Sequence, residues 1–324
     1  MSRGTVKIVP CSLFPFYQSE RKSRALRRSL HLKGKLKKSR DTLLISFGSQ
    51  LFHFLRFRLR QSSIKLEKGM LIISIDVDVG HRKLALLNEG KNDANVHNYL
   101  SEYEVGAIEE ISLPLFMSLF DHFYLPVTLA VRGQLLQLEE LPLKSLLHAS
   151  VKHDIGAHGY THRSFQDLSL SEAEKELNLL STMMEKINII PKSFIFPKNR
   201  VAHLNLLEEH GYICYREYGD FIHDGMYIAK VNQLYDVHPS LHIDQYTNHI
   251  FLKEMLNVCV ENKLPFHVWF HLWSFGKEVK SIKKSIQKIF VPFLEYAEAK
   301  VSEGVLTFET MLSSIETVQR NSHR

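Results

Sequence analysis

The stretch LIISIDVDVG, residues 71–80, decides the fold. Five residues, four of them apolar, run into two aspartates, Asp76 and Asp78, with Gly80 close behind. A short continuous apolar run of this kind reads as a strand buried on both faces, as in a parallel sheet. Its end delivers carboxylates to the sheet rim. Downstream, strand and helix patterns alternate. Strands are expected at 71–75, 126–131, 152–157, 193–196, 212–215, 234–237, 266–270 and 305–308. Helical spacing of apolar residues marks 113–123, 169–187, 201–210, 251–262 and 282–301. The second of these opens on Ser169 and Glu172, the pattern of a capping box. The third stops at Gly211, a C-terminal cap. Strands alternating with helices in this way predict an α/β fold with a parallel sheet, most economically a (β/α) barrel. A doubly wound open sheet is the alternative. Neither GxGxxG nor GxxxxGK[ST] occurs, so nucleotide binding is not expected.

The 324 residues are 44% hydrophobic and 23% charged, enough for a sizeable core. The three cysteines, Cys11, Cys214 and Cys259, form no CxxC pair and fit a reducing compartment. The net charge of +6 conceals a split. Residues 1–68 carry 17 basic against 3 acidic side chains, and the rest carries 24 against 32. We therefore expect a basic extension over 1–68, a catalytic domain over 69–315 and a tail over 316–324. The basic run is read either as a solvated arm or as a segment drawn to anionic surfaces. Within 43–60, Leu44, Phe47, Leu51 and Leu55 share one helical face, which suits a membrane-surface helix or one packed on the domain. The sequence shows no secretory signal and no membrane span. The expected location is cytoplasmic, with residues 1–60 able to dock on the inner membrane face. Nucleic acid is not an expected partner, because aromatic and basic residues do not interleave convincingly.

In barrels, chemistry sits at the C-terminal ends of strands. There the chain places Asp76 and Asp78, then His158 and His162, then Lys198, Asn199 and Arg200, then Asp236 and His238, then His271. Asp76 and Asp78, two apart, share a face of a continuing strand. Two close carboxylates are cheaply ionised only beside a cation. Capping a neighbouring helix or pairing with a lysine is the structural alternative. His158 and His162 are spaced to converge on one ion. The same spacing recurs at His238/His242 and His267/His271, but only His158 is flanked by glycines, Gly156 and Gly159. His267, mid-strand and among apolar residues, reads as a core histidine. One carboxylate with two histidines leaves coordination positions open, as catalytic metal sites do.

These motifs resemble the NodB-like polysaccharide deacetylases, carbohydrate esterase family 4. SIDVDVG at 74–80 is similar to the family's first motif, an aspartate base followed by an aspartate ligand. HGYTH at 158–162 is similar to its metal-binding HxxxH. SFIFPKN at 193–199 is similar to the proline-centred third motif, and HVWFHLW at 267–273 to the strand that ends in the catalytic histidine. VTLAVRG at 127–133 fits the strand between the first two. The likeness runs from about residue 70 to 315. It implies a distorted barrel of seven to eight parallel strands and hydrolysis of N-acetyl groups on a sugar or polysaccharide. It implies one divalent metal ion, with zinc expected, on Asp78, His158 and His162. Asp76 is then the base, His271 the acid, and Asp236 the group that tunes His271. Asn199, Arg200 and Trp273 are expected to meet the carbohydrate, and Trp269 and Phe275 flank the same strand end. Two departures stand out. Val77 separates aspartates that are usually adjacent, so the roles of Asp76 and Asp78 can exchange. Ile195 stands where the family carries an arginine that orients the base, with Lys198 or Arg200 as candidate substitutes. Other expected readings are hydrolysis of a non-sugar amide on the same fold, and a silent sugar-binding homologue.

Overall fold

The computed structural model describes residues 66–78, 111–137, 150–216, 226–238, 240–276 and 278–322. The basic arm and the 43–60 helix lie outside these residues. Ten strands form one sheet: β1 Gly69–Val77, β2 Thr128–Val131, β3 Asp154–Ala157, β4 Ser193–Ile195, β5 Cys214–Arg216, β6 Tyr227–Val231, β7 Leu234–His238, β8 Ser240–His242, β9 Pro265–His271 and β10 Leu306–Glu309. Their order is β6-β7-β5-β4-β3-β2-β1-β9-β8, with β10 beside the first half of β1. Every pairing is parallel except the β6–β7 hairpin. β1 is the hub: β9 lies on one side, while β10 and then β2 share the other. All nine of its residues are buried, as the apolar run predicts.

The sheet rolls back on itself. At about 4.8 Å per strand, the four steps from β1 to β5 would span about 19 Å in a flat sheet. Yet Arg216, the last residue of β5, hydrogen bonds to Ser74 and Asp76 of β1. The chain also passes from β7, paired with β5, to β8, paired with β9, through residue 239 alone. This is the mostly parallel α/β sheet expected from the sequence, curved enough to be compatible with the distorted (β/α) barrel, with Asp76 at the end of β1 and Asp78 just past it.

Helices α1 Leu113–His122, α2 Leu170–Lys186, α3 Leu204–Glu209, α4 His249–Asn262, α5 Val279–Ser285, α6 Val291–Ser302 and α7 Met311–Ser322 pack around it. The capping box forms as expected: Ser169 accepts from the Glu172 N–H, and the Glu172 carboxylate accepts from the Ser169 N–H. Gly211 takes a left-handed φ of +74° just past α3. The helix expected over 282–301 forms as one continuous helical run, α5 and α6 joined through a π turn at Ile286–Phe290. Pro292 in the first turn of α6 has no N–H to continue the ladder, so the preceding turn widens. The boundary expected at 315 falls inside α7. Met311, Ile315 and Val318 of that helix join Leu66, Met70 and Ile72 in one buried cluster, so neither Leu66 nor Val318 belongs to a loose end. Strands β6 and β8 were not anticipated; β6 is half-buried and β8 has only three residues. Among the described residues, no helix is long and apolar enough to cross a membrane.

Candidate active site

The mouth is assembled from the ends of β1, β3, β4, β5 and β9. Asp76 and Asp78 leave β1 two residues apart, each 2% exposed. Arg216 grips Asp76 with both arms of its guanidinium, at 2.8 Å to Oδ1 and 2.7 Å to Oδ2. Burial pushes the Asp76 carboxyl up, but Arg216, helped by His158 and His271, overrides it and holds the pKa at about 2. The two terminal nitrogens of the guanidinium are themselves held by further partners. Its Nη1 also donates to Ser74 Oγ at 3.0 Å, and its Nη2 to Asn199 Oδ1 at 3.0 Å. The Trp269 ring lies 4.1 Å from its central carbon, a cation–π contact. Below it, His267 Nδ1–H donates to the Val237 carbonyl, which leaves Nε2 to accept from Ser74 Oγ at 2.7 Å. The core histidine expected from the sequence is therefore the floor of this network.

Arg216 is the residue that the sequence reading missed. It pairs in register with Ile195 across β4 and β5. A positive charge in register with Ile195, one strand over, thus reaches Asp76. The substitutes considered earlier do not do this. Arg200 pairs with Asp167 at 3.6 Å on the surface, the two side chains 55% and 60% exposed. Lys198 and Asn199 both adopt left-handed backbone, φ +58° and +52°, and this turns Asn199 back toward Arg216. Asn199, expected to meet substrate, uses its Oδ1 to orient the guanidinium.

Asp78, His158 and His162 come together as expected, with one donor atom from each within 4.8 Å of the others. The HxxxH does not lie on a helix. It spans the loop after β3, where Gly159 and His162 take left-handed φ values of +66° and +65°. A Cβ at position 159 would sit 2.9 Å from Pro197 Cγ, so only glycine fits that turn. A left-handed backbone at His162 is strained for a residue with a side chain and is held by its surroundings. Glu176 of α2 supplies the hold. Its carboxylate accepts from the N–H groups of Tyr160 and Thr161 at 3.0 and 2.8 Å, and from Thr161 Oγ1 at 2.5 Å. Arg132, buried at the end of β2, is close enough to Asp78 and Glu176 to feel both charges.

The donor set fits a divalent cation. His158 Nδ1–H donates to the Ile195 carbonyl at 2.8 Å, which fixes the tautomer and leaves Nε2 as an acceptor. That Nε2 is buried without a hydrogen bond partner, an arrangement a cation would satisfy. His162 Nε2 lies 3.2 Å from Asp78 Oδ2. Burial, and next the charge of Asp76, push the Asp78 carboxyl well above its usual range. A cation beside it would reverse that.

His271 ends β9 with Nε2 3.8 Å from Asp76 Oδ2. Burial outweighs the pull of Asp76 and lowers its pKa to about 3. Its Nδ1 is buried and makes no hydrogen bond, so Asp236 does not orient it in this structure. Asp236 is buried on β7, in register with Tyr215 of β5. Trp273 follows on a 3-10 turn, Leu272–Phe275, and stacks on His271 with ring centres 4.4 Å apart. Phe275 is turned away into an aromatic cluster with Phe116, Phe270 and Phe290.

The architecture defines a class: a rolled, mostly parallel α/β sheet with its polar residues at the C-terminal mouth. Solved structures of similar fold include a Mycobacterium smegmatis protein assigned as a polysaccharide deacetylase, at TM-score 0.61 and 15% identity, covering 81% of this chain and 96% of that one. A Pseudomonas aeruginosa PAO1 protein given the same assignment matches at TM-score 0.56 and 13% identity, covering 78% and 91%. PuuE allantoinase matches at TM-score 0.56 and 14% identity, covering 77% and 89%. No family model matches the chain, and no curated protein matches it by sequence.

Proposed function

We propose that this chain is a divergent NodB-like deacetylase that hydrolyses the N-acetyl group of a sugar or polysaccharide. The observation that carries the proposal is the pairing of an arginine-locked carboxylate, Asp76, with His271 beside an Asp–His–His cation site. Asp78, His158 and His162 would hold the ion, and the nitrogen and oxygen donors suit zinc. When bound, such an ion polarises the acetyl carbonyl and makes water easier to deprotonate. Asp76, kept ionised by Arg216, takes the proton from the attacking water at Oδ2. Attack on the carbonyl carbon gives a tetrahedral species, and the C–N bond then breaks. His271 starts neutral. It lies within 4 Å of Asp76 Oδ2, so the proton taken by Asp76 can reach it after a small closing movement and pass to the leaving nitrogen. The products are acetate and a free amine. The silent sugar-binding reading has the missing arginine at position 195 as its best support, and the grip of Arg216 on Asp76 favours the active reading over it.

The likeness to an allantoinase, nearly as high as that to the deacetylase-like structures, favours a second reading, hydrolysis of a non-sugar amide. Acetate release from N-acetylated oligosaccharides, measured beside hydrolysis of cyclic and linear amides, separates the two. Elemental analysis should find about one divalent ion per chain, lost in Asp78→Ala and His162→Ala. Full metal content in both variants would rule out the ligand set. Asp76→Asn should keep the ion and lose turnover; unchanged turnover rules out the base. Docking of residues 1–60 on an anionic membrane face remains part of the proposal. It predicts salt-sensitive co-sedimentation with anionic vesicles, lost on removal of those residues.

A further inference from the structure

We propose that Trp273 is a positioning residue that sets how tightly the Asp78–His158–His162 group holds its cation, an inference that rests on the metal reading above. The indole Nε1–H donates to Asp78 Oδ1 at 3.2 Å. The other oxygen, Oδ2, is the one that faces His162 Nε2, also at 3.2 Å. The indole therefore occupies one carboxylate oxygen and leaves its twin turned toward the histidines. It is a neutral donor, so it orients the carboxylate without adding a positive charge that would compete with the ion. Trp273 is also fixed in place. One face of its ring stacks on His271 at an interplanar angle of 27°. A ring held there offers any sugar only its other face. The tie also joins the ligand just past β1 to the histidine that ends β9, so both keep one relative orientation.

Partners that orient metal ligands typically change affinity by about 10- to 100-fold when removed. The test uses the full chain, stripped with a chelator and titrated with Zn²⁺ against a chromophoric competitor. Trp273→Phe keeps a flat ring against His271 and loses the N–H, and it should bind about 10- to 100-fold more weakly. Trp273→Leu should match it, because the donor and not the ring carries the effect. A second measurement does not depend on how these variants fold. The chain has only two tryptophans, so in Trp269→Phe the sole indole emission is that of Trp273. That emission should change along the same isotherm as zinc binding. Affinity of Trp273→Phe within twofold of wild type, with binding still lost in His162→Ala, would overturn the inference and leave the metal reading intact. Emission that stays constant while zinc binds would also overturn it. No zinc binding by the wild-type chain would overturn both.

Discussion

Replacing Arg216 by methionine removes the guanidinium that grips both oxygens of a buried carboxylate. The methionine can fill much of the space beside Trp269, so the loss is mainly electrostatic. Arg216 is fully buried and Asp76 is 2% exposed, so solvent cannot screen the charge left behind. Stranding one member of a buried pair costs about 3–5 kcal/mol. The pH dependence gives an independent handle. Asp76 falls from an ordinary 3.8 to about 2 in the folded protein. A depressed folded value means that the contribution is complete above the unfolded value and is lost as pH falls through the folded one. Its size is about 2 kcal/mol. In Arg216→Met, burial persists without the guanidinium, so the folded pKa should rise above 3.8 and the sign should invert. Asp76 then destabilises at neutral pH, and acidification relieves it. The assay is urea unfolding of metal-free wild type, Arg216→Met, Asp76→Asn and the double variant, at pH 7 and through the acid range. The double variant should lose less than the sum of the singles by about 1–3 kcal/mol. Additive losses, or an Arg216→Met penalty under about 1 kcal/mol, would refute the role given to this pair.

Glu176→Gln should weaken zinc binding by about 10-fold or more, because the carboxylate that holds the Tyr160 and Thr161 N–H groups is lost; competition titration reads it directly. Gly159→Ala should destabilise by about 1–3 kcal/mol and lower metal affinity, since the new Cβ meets Pro197 in a left-handed turn; thermal unfolding and metal titration check both effects. Ser169→Ala should cost about 1 kcal/mol in unfolding free energy through loss of the α2 cap, with zinc affinity close to wild type.

Much of the barrel was legible because its signals are local. All eight expected strands form, and the capped helix begins where Ser169 and Glu172 place it. The α7 helix was overlooked although Met311, Ile315 and Val318 repeat at helical spacing, because only its packing shows that face to be buried. The π turn had a visible cause in Pro292, but the apolar spacing, which a widened turn leaves almost unchanged, masked it.

The candidate site divides in the same way. The sequence by itself determined the strand that carries Asp76 and Asp78, the loop that carries His158 and His162, and the strand that ends in His271. In each case the residue type and the apolar run before it act over a few positions. Only the tertiary structure decided the charge balance. Arg216 sits 140 residues from Asp76 in a short strand with no motif around it, and its register opposite Ile195 gives it meaning. The bond from the Trp273 N–H to Asp78 is likewise set by the tertiary structure. Both contacts exist because the sheet brings β5 and β9 to β1, and sheet curvature is a property of the whole sheet that no local pattern records.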